Sequence, residues 1–141
     1  MHSAVTLDDI DVVVVDDDDD IRFALAQFLD QRGATVFPCS NAGEALEAVR
    51  DHHPDIVLSD IGLPGRDGLQ LLQDIRSLDA EQDRNIPVIA MTAFGWSVKR
   101  TQRLWGAFQA HLDKPFKPDQ LLTTIASTLE DQHSQFPGSC E

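Results

Sequence analysis

The sequence predicts an α/β domain with a central parallel β-sheet and helices on both of its faces. Five short apolar segments alternate with segments of helical periodicity, which is the order of elements in a doubly wound parallel sheet. The first of these segments, residues 12–15, consists of four valines without polar alternation. Such a run is typical of a strand that is buried on both faces. The length of 141 residues is that of one domain.

The first half of the domain contains three predicted strands and two predicted helices. The strands lie at residues 12–15, 34–37 and 56–58. The apolar residues at helical spacing are Ile21, Ala24, Leu25, Phe28 and Leu29 in the first helix and Ala45, Leu46 and Val49 in the second. Gly33 is expected to end the first helix, and Ser40 or Asn41 to cap the second. Asp18 to Asp20 are expected only to stabilise the N-terminus of the first helix by their negative charge.

The second half contains two further strands and three further helices. The strands lie at residues 88–91 and 110–112, and the helices at residues 69–75, 96–105 and 118–129. Residues 62–68 contain three glycines and one proline and form a predicted loop, and residues 79–86 form a polar connection. From these limits we expect an N-terminal extension over residues 1–10, a domain over residues 11–130 and a C-terminal tail over residues 131–141.

Charge and composition limit the classes of partner. The formal charge is −13, from 24 acidic and 11 basic residues. This charge disfavours nucleic acid and anionic membrane surfaces as partners, and it favours cations or basic protein surfaces. We expect neither a transmembrane helix nor a secretory signal, because no segment has the required apolar length. Cys39 and Cys140 lie far apart without metal-ligand spacing, so we expect reduced thiols in a cytoplasmic protein.

Polar residues follow the predicted strands at the points where they end. Asp16 and Asp17 follow the first strand, Asp60 the third, Thr92 the fourth and Lys114 the fifth. The carboxyl ends of parallel strands meet at one edge of the sheet, where ligands bind. Three carboxylates at this edge repel each other by about 1–4 kcal/mol per pair, so we expect a divalent cation with oxygen ligands, for which Mg²⁺ is suited. With the hydroxyl and the ammonium group, such a site can stabilise a phosphoryl group during its transfer to a carboxylate nucleophile.

Four segments in this order resemble the motifs of response-regulator receiver domains of two-component signalling. They are VDDD at residues 15–18, LSDIGLPGRDG at 58–68, AMTA at 90–93 and KPF at 114–116, within a match over about residues 11–130. Each motif alone is weak, but four motifs in order are specific. The resemblance implies the flavodoxin-like receiver fold, a doubly wound five-stranded parallel sheet with strand order 2-1-3-4-5 and five helices.

The resemblance also implies a phosphoacceptor and a metal site. Asp60 would accept a phosphoryl group from a sensor histidine kinase or a phosphotransfer protein, with Mg²⁺ as the cofactor. Asp60 and Asp17 would bind the metal, Asp16 would act largely through water, and Gly62 would contribute its backbone carbonyl. Gly62 and Phe94 occupy positions at which the family tunes hydrolysis of its phosphoryl group.

A switch between two conformations is a further implication of the resemblance. Thr92 and Lys114 would bind phosphoryl oxygens, and the Lys114–Pro115 peptide bond would be cis. Many receivers carry an aromatic residue three positions before the lysine, where this sequence has His111. The surface of the fourth predicted helix, the fifth strand and the fifth helix, roughly residues 94–129, would bind a downstream protein.

These residues predict a phosphorylation-dependent signalling switch that is itself modified and does not turn over an external substrate. One alternative is a Mg²⁺-dependent phosphohydrolase with an aspartate nucleophile, but Ile21 and Arg22 do not continue its Asp-x-Asp motif. A second is a constitutive pseudo-receiver, an interaction module that would lack the acidic pair or the lysine. The domain is either a free regulator or a receiver of the type attached to hybrid sensor histidine kinases. No contact of this chain with nucleic acid or a membrane is expected.

Overall fold

The structure is a computed structural model, and it describes residues 6–62, 68–92 and 108–134. One parallel sheet contains five strands, which are β1 (Asp11–Val15), β2 (Thr35–Cys39), β3 (Ile56–Asp60), β4 (Val88–Thr92) and β5 (Ala110–Asp113). The strand order is β2-β1-β3-β4-β5, so the predicted order is confirmed.

The described helices are α1 (Asp19–Gln31), α2 (Ala42–His52), α3 (Gly68–Arg76), α4 (Glu81–Arg84) and α5 (Pro118–Ser134). The predicted fold class, a doubly wound parallel sheet with five helices, is confirmed. The helix predicted over residues 96–105 lies outside the described residues.

Two helices differ from the sequence prediction. The helix α4 lies in the segment that was predicted to be a polar connection, and its four residues are too few to show an apolar period. The helix α5 continues to Ser134, five residues beyond the predicted end at Leu129. Its last turn is polar and therefore carries no periodic signal, and no glycine or proline interrupts the chain before Pro137.

The sheet is buried by an apolar cluster on each face. The valines of β1 have no exposed surface, and they alternate between the two clusters. Val13 and Val15 contact the cluster that contains residues of α2 and α3, whereas Val12 and Val14 contact the cluster that contains residues of α1 and α5. A strand in this position needs apolar residues on both faces, which explains the unbroken valine run.

Side-chain caps fix the beginnings of α1 and α2 directly after their strands. The Asp18 carboxylate accepts a hydrogen bond from the Ile21 backbone N–H at 3.0 Å, as the charge run at this helix start predicts. Of the two predicted caps of α2, Asn41 is the residue that accepts from the Glu44 N–H, at 2.9 Å. The Glu44 carboxylate in turn accepts from the Ser40 N–H at 2.7 Å and from its hydroxyl, and these bonds hold the Glu44 pKa below its ordinary value.

Residues 6–10, the described part of the predicted N-terminal extension, pack onto the domain. Leu7 is buried in the same cluster as α1 and α5, and its N–H donates to the Arg32 carbonyl at 2.7 Å. The Ile10 carbonyl accepts from the Thr35 N–H at 2.9 Å. Gly33 ends the first helical region as predicted, with φ of 100°, a conformation that favours glycine.

Candidate functional site

Three aspartates meet at the carboxyl edge of the sheet. Asp16 and Asp17 follow β1, and Asp60 is the last residue of β3. One carboxylate oxygen of each aspartate lies within 4.8 Å of those of the other two. Asp16 is fully buried and Asp60 is 8% exposed, whereas Asp17 is exposed. The structure therefore brings together the three carboxylates that the sequence places after neighbouring strands.

The ammonium group of Lys114 bridges two of these carboxylates. Its Nζ lies 2.8 Å from Asp16 Oδ2 and 3.2 Å from Asp60 Oδ2. Burial by itself lowers the Lys114 pKa, but the hydrogen bonds and the negative charges of Asp16 and Asp60 outweigh burial and raise this pKa above its ordinary value. The group is therefore a permanent positive charge at neutral pH. The Lys114–Pro115 peptide bond is cis, as the resemblance implied.

Backbone groups hold the other oxygens of the two bridged carboxylates. Asp16 Oδ1 accepts from the Asp18 N–H at 2.9 Å, and Asp60 Oδ1 accepts from the Gly62 N–H at 3.1 Å. The Arg22 guanidinium donates to the backbone carbonyl of Asp16 at 2.8 Å. Each of these carboxylates thus has one oxygen on the ammonium group and one on the backbone, which fixes the orientation of both.

The donor set of this edge fits a hard divalent cation. Asp16, Asp17 and Asp60 offer carboxylate oxygens, which are the ligands that Mg²⁺ prefers in proteins. The three carboxylates and the Lys114 ammonium have formal charges that sum to −2, so a divalent cation would neutralise the cluster. Over the described ranges this is the group of acidic side chains found close enough together to share an ion.

Thr92 lies at the same edge, but its hydroxyl proton is directed to another residue. Thr92 is 6% exposed, and its Oγ1 donates to Asp113 Oδ1 at 2.8 Å. His111 is exposed and lies opposite Ala90 in the register of β4 and β5, two residues before the Thr92–Asp113 pair. Because side chains alternate along a strand, His111 is on the same face of the sheet as Thr92. Phe94 lies outside the described residues.

Two residues at this edge were not among the predicted site residues. Asp113 is the acceptor of the Thr92 hydroxyl, and its only signal in the sequence is its place between the predicted fifth strand and Lys114. Gly68 begins α3 directly against the site, since a Cβ atom at this position would lie 2.6 Å from the Asp60 carbonyl oxygen. The only sign of this close approach in the sequence is a glycine at the end of the loop 62–68.

The strand order, the acidic cluster and the lysine at the carboxyl edge are together the features of a receiver domain. The family model of the response regulator receiver domain matches residues 12–126. The chain belongs to this family. A receiver domain is a signalling switch rather than a turnover enzyme, and its family is one whose members interact with histidine kinases or phosphotransfer proteins. The match favours neither the phosphohydrolase nor the pseudo-receiver.

Relatives of known name support this assignment. The chain is 35% identical over 133 residues to the response regulator Rre1 of Synechocystis sp., covering 94% of this chain and 57% of that protein. It is 32% identical to the polar-differentiation response regulator DivK of Brucella ovis, covering 85% of this chain and 96% of DivK. The structure of the chemotaxis protein CheY4 of Vibrio cholerae superposes with a TM-score of 0.76 at 25% identity, over 84% of this chain and 98% of that one.

The relatives differ in length. The chain spans nearly all of DivK, 57% of Rre1 and about a quarter of two transcriptional regulators that it also matches. What these longer proteins do as a whole is therefore a separate matter from the role of this domain.

Among the described helices, none combines the length and the apolar character that crossing a bilayer requires.

Proposed function

We propose that this domain, over residues 11–130, is switched by phosphorylation of Asp60, with the phosphohistidine of a sensor histidine kinase or phosphotransfer protein as donor. The observation that carries the proposal is the Lys114 ammonium, which bridges Asp60 and Asp16 within a cluster of three carboxylates. This arrangement supplies a nucleophile and positive charge at one point, which is most of what phosphoryl transfer requires.

Asp60 is the best placed of the three carboxylates to act as the nucleophile. Asp16 has no exposed surface and Asp17 is exposed, but the ion pairs of Lys114 among the described residues are with Asp16 and Asp60. The Asp60 side chain is therefore the one that is both partly exposed, at 11%, and in contact with the ammonium group. A carboxylate oxygen of Asp60 forms a bond to phosphorus while the bond between phosphorus and the histidine nitrogen breaks, and the nitrogen keeps the bonding electrons. The product is an acyl phosphate on Asp60 that carries more negative charge than the free carboxylate, and Lys114 is positioned to offset this charge.

Asp16, Asp17, Asp60 and the backbone carbonyl of Gly62 are the groups that would hold Mg²⁺. Bound Mg²⁺ would neutralise negative charge on the carboxylates and on the phosphoryl oxygens. Asp17 is exposed and so is accessible to a cation from solvent, whereas the Asp16 side chain has no exposed surface. This difference supports a direct role for Asp17 and a largely water-mediated role for Asp16.

The proposed output is a surface of residues 94–129, of which β5 and α5 are described. A groove of about 460 Å³ between these two elements is lined by His111, Asp113, Asp119 and Thr123, among others. Its two carboxylates and the formal charge of −13 suit a downstream protein with a basic surface, and disfavour nucleic acid. Thr92 and His111 would couple this surface to Asp60. We place the protein in the cytoplasm, where its proposed phosphohistidine donor is found.

Labelling by a small phosphodonor tests the proposal directly. The full chain is incubated with acetyl phosphate and Mg²⁺, and the modified residue is located by mass spectrometry after reduction of the acyl phosphate with borohydride. We expect one phosphoryl group per chain on Asp60, no label after Asp60→Asn, and little label in the presence of EDTA. Label on another residue, or sustained turnover of an aryl phosphate without labelling, would contradict the proposal, and the second result would favour the phosphohydrolase.

A further inference from the structure

Asp113 accepts a hydrogen bond from Thr92, the residue whose side chain must move in the proposed switch. Thr92 ends β4 and Asp113 ends β5, and the two residues lie opposite each other in the parallel register. The nearly buried Thr92 donates its hydroxyl proton to the Asp113 carboxylate at 2.8 Å. Because the acceptor is charged, this bond is stronger than one between two neutral groups.

A hydroxyl group has one proton to donate. The Thr92 hydroxyl therefore cannot donate to Asp113 and to a phosphoryl oxygen on Asp60 at the same time. We infer that Asp113 is a positioning residue that holds Thr92 in the resting conformation and thereby opposes the switch. This inference rests on the proposed function and adds to it the residue that sets the population of the resting state.

The surroundings of Asp113 determine how strongly it opposes the switch. Asp113 is exposed, so water can solvate its carboxylate after Thr92 leaves. Lys114 is the next residue in the chain, but its ammonium group contacts Asp16 at 2.8 Å and Asp60 at 3.2 Å. Its hydrogen bonds are therefore made to the phosphoacceptor side of the site and do not compete with Thr92 for the Asp113 carboxylate. For a single hydrogen bond to a partly solvated carboxylate, we expect the equilibrium between the two states to change about three- to tenfold when the acceptor is removed.

Binding of beryllofluoride, a non-covalent mimic of the phosphoryl group, provides the test. The full chain is titrated at saturating Mg²⁺, and the backbone amide of Gly62 and the methyl group of Thr92 are followed by NMR. Asp113→Ala should bind beryllofluoride about three- to tenfold more tightly than the wild type. In this variant without beryllofluoride, the Thr92 methyl resonance should already be shifted toward its position in the beryllofluoride-bound wild type. Asp113→Asn should show a smaller gain, because an amide oxygen can still accept the bond.

Two further variants separate the hydrogen bond from a general effect of charge. Glu130→Ala removes an exposed carboxylate of α5 that lies outside the proposed output surface, and should bind like the wild type. Thr92→Val removes the hydroxyl, so Asp113→Ala should have no further effect in that background.

The outcomes distinguish this inference from the proposed function. If the wild type binds beryllofluoride and Asp113→Ala binds it with the same affinity, the inference is overturned and the proposed function stands. The same gain in Glu130→Ala, or in Asp113→Ala when Thr92 is already Val, also overturns it. A wild type that does not bind beryllofluoride at Asp60 overturns the proposed function and the inference with it.

Discussion

Replacement of Lys114 by methionine tests the electrostatic argument for the site. The substitution removes the ammonium group and keeps most of the apolar stem. In the native protein this group lies 2.8 Å from Asp16, which is completely buried, and 3.2 Å from Asp60, whose side chain is 11% exposed. Without the cation, two carboxylates share one edge of the sheet with no counter-charge between them.

The expected loss follows from the burial of the three groups. Removal of one partner from a buried ion pair costs about 3–5 kcal/mol. The Lys114 side chain is 18% exposed, and both carboxylates keep a backbone N–H donor, so solvent and backbone offset part of this cost. We therefore expect Lys114→Met to lower the free energy of unfolding by about 2–3 kcal/mol without Mg²⁺. The loss should be smaller with millimolar Mg²⁺, because the metal supplies positive charge to the same carboxylates.

The measurement is urea unfolding followed by circular dichroism, with EDTA and with Mg²⁺. Lys117→Met is the matched control, because Lys117 is exposed and its substitution removes the same formal charge. We expect the control to change stability by no more than about 0.5 kcal/mol. If Lys114→Met and Lys117→Met unfold at the same urea concentration, the ammonium group makes no net contribution and the reasoning is refuted.

Four further predictions follow from the same geometry. In the wild type, Mg²⁺ at ten times its Kd should raise the free energy of unfolding by about 1.4 kcal/mol, and Asp17→Asn should abolish most of the accompanying rise in Tm; an unchanged wild-type Tm would count against the metal site. Gly68→Ala should destabilise the fold by about 1–3 kcal/mol, because the new Cβ would lie 2.6 Å from the Asp60 carbonyl oxygen. Gly62→Ala is its control in urea unfolding, since a Cβ there would be 3.9 Å from Asp60 Oδ1, and equal losses would argue against the steric cause. Gly62→Asn should shorten the lifetime of phospho-Asp60 severalfold, since its amide could orient a water molecule; slower decay after removal of the phosphodonor would contradict this. Finally, because the Lys114 pKa is raised, its contribution to stability is present below the ordinary lysine pKa of about 10.4 and is lost only as the pH rises through the higher folded value. The stability difference between wild type and Lys114→Met should therefore stay constant between about pH 7 and pH 9, and a rise within that range would show that the pKa is lowered instead.

The parts of the fold that could be predicted from the sequence are those with a strong chemical signature. A strand buried on both faces must be apolar throughout, so the valine run of β1 identifies both the strand and its burial in the interior of the sheet. The polar residue that follows such a strand must then lie at the sheet edge. This is why Asp16 and Asp60 could be placed together without knowledge of any distance.

The features that could not be predicted depend on contacts between distant segments. The four-residue helix α4 has no periodic signal, yet Asp83 within it is buried and its carboxylate lies 2.8 Å from His53 Nδ1. The burial of Leu7 accompanies a backbone hydrogen bond to Arg32, the residue that follows α1. The bond from Thr92 to Asp113 requires the register of β4 and β5, which spacing along the chain does not specify.

Two neighbouring residues at the end of β5 contact different parts of the site. Asp113 is the last residue of β5 and accepts a hydrogen bond from the Thr92 hydroxyl. Lys114, the first residue after the strand, extends to Asp16 and Asp60. The backbone N–H of Lys114 donates to the Thr92 carbonyl at 2.7 Å and holds both residues in place. A rotation of the Thr92 side chain toward Asp60 would break its bond to Asp113 and leave this backbone bond intact. The difference in free energy between the two states can therefore depend on side-chain hydrogen bonds at the edge, with no change in the pairing of the strands.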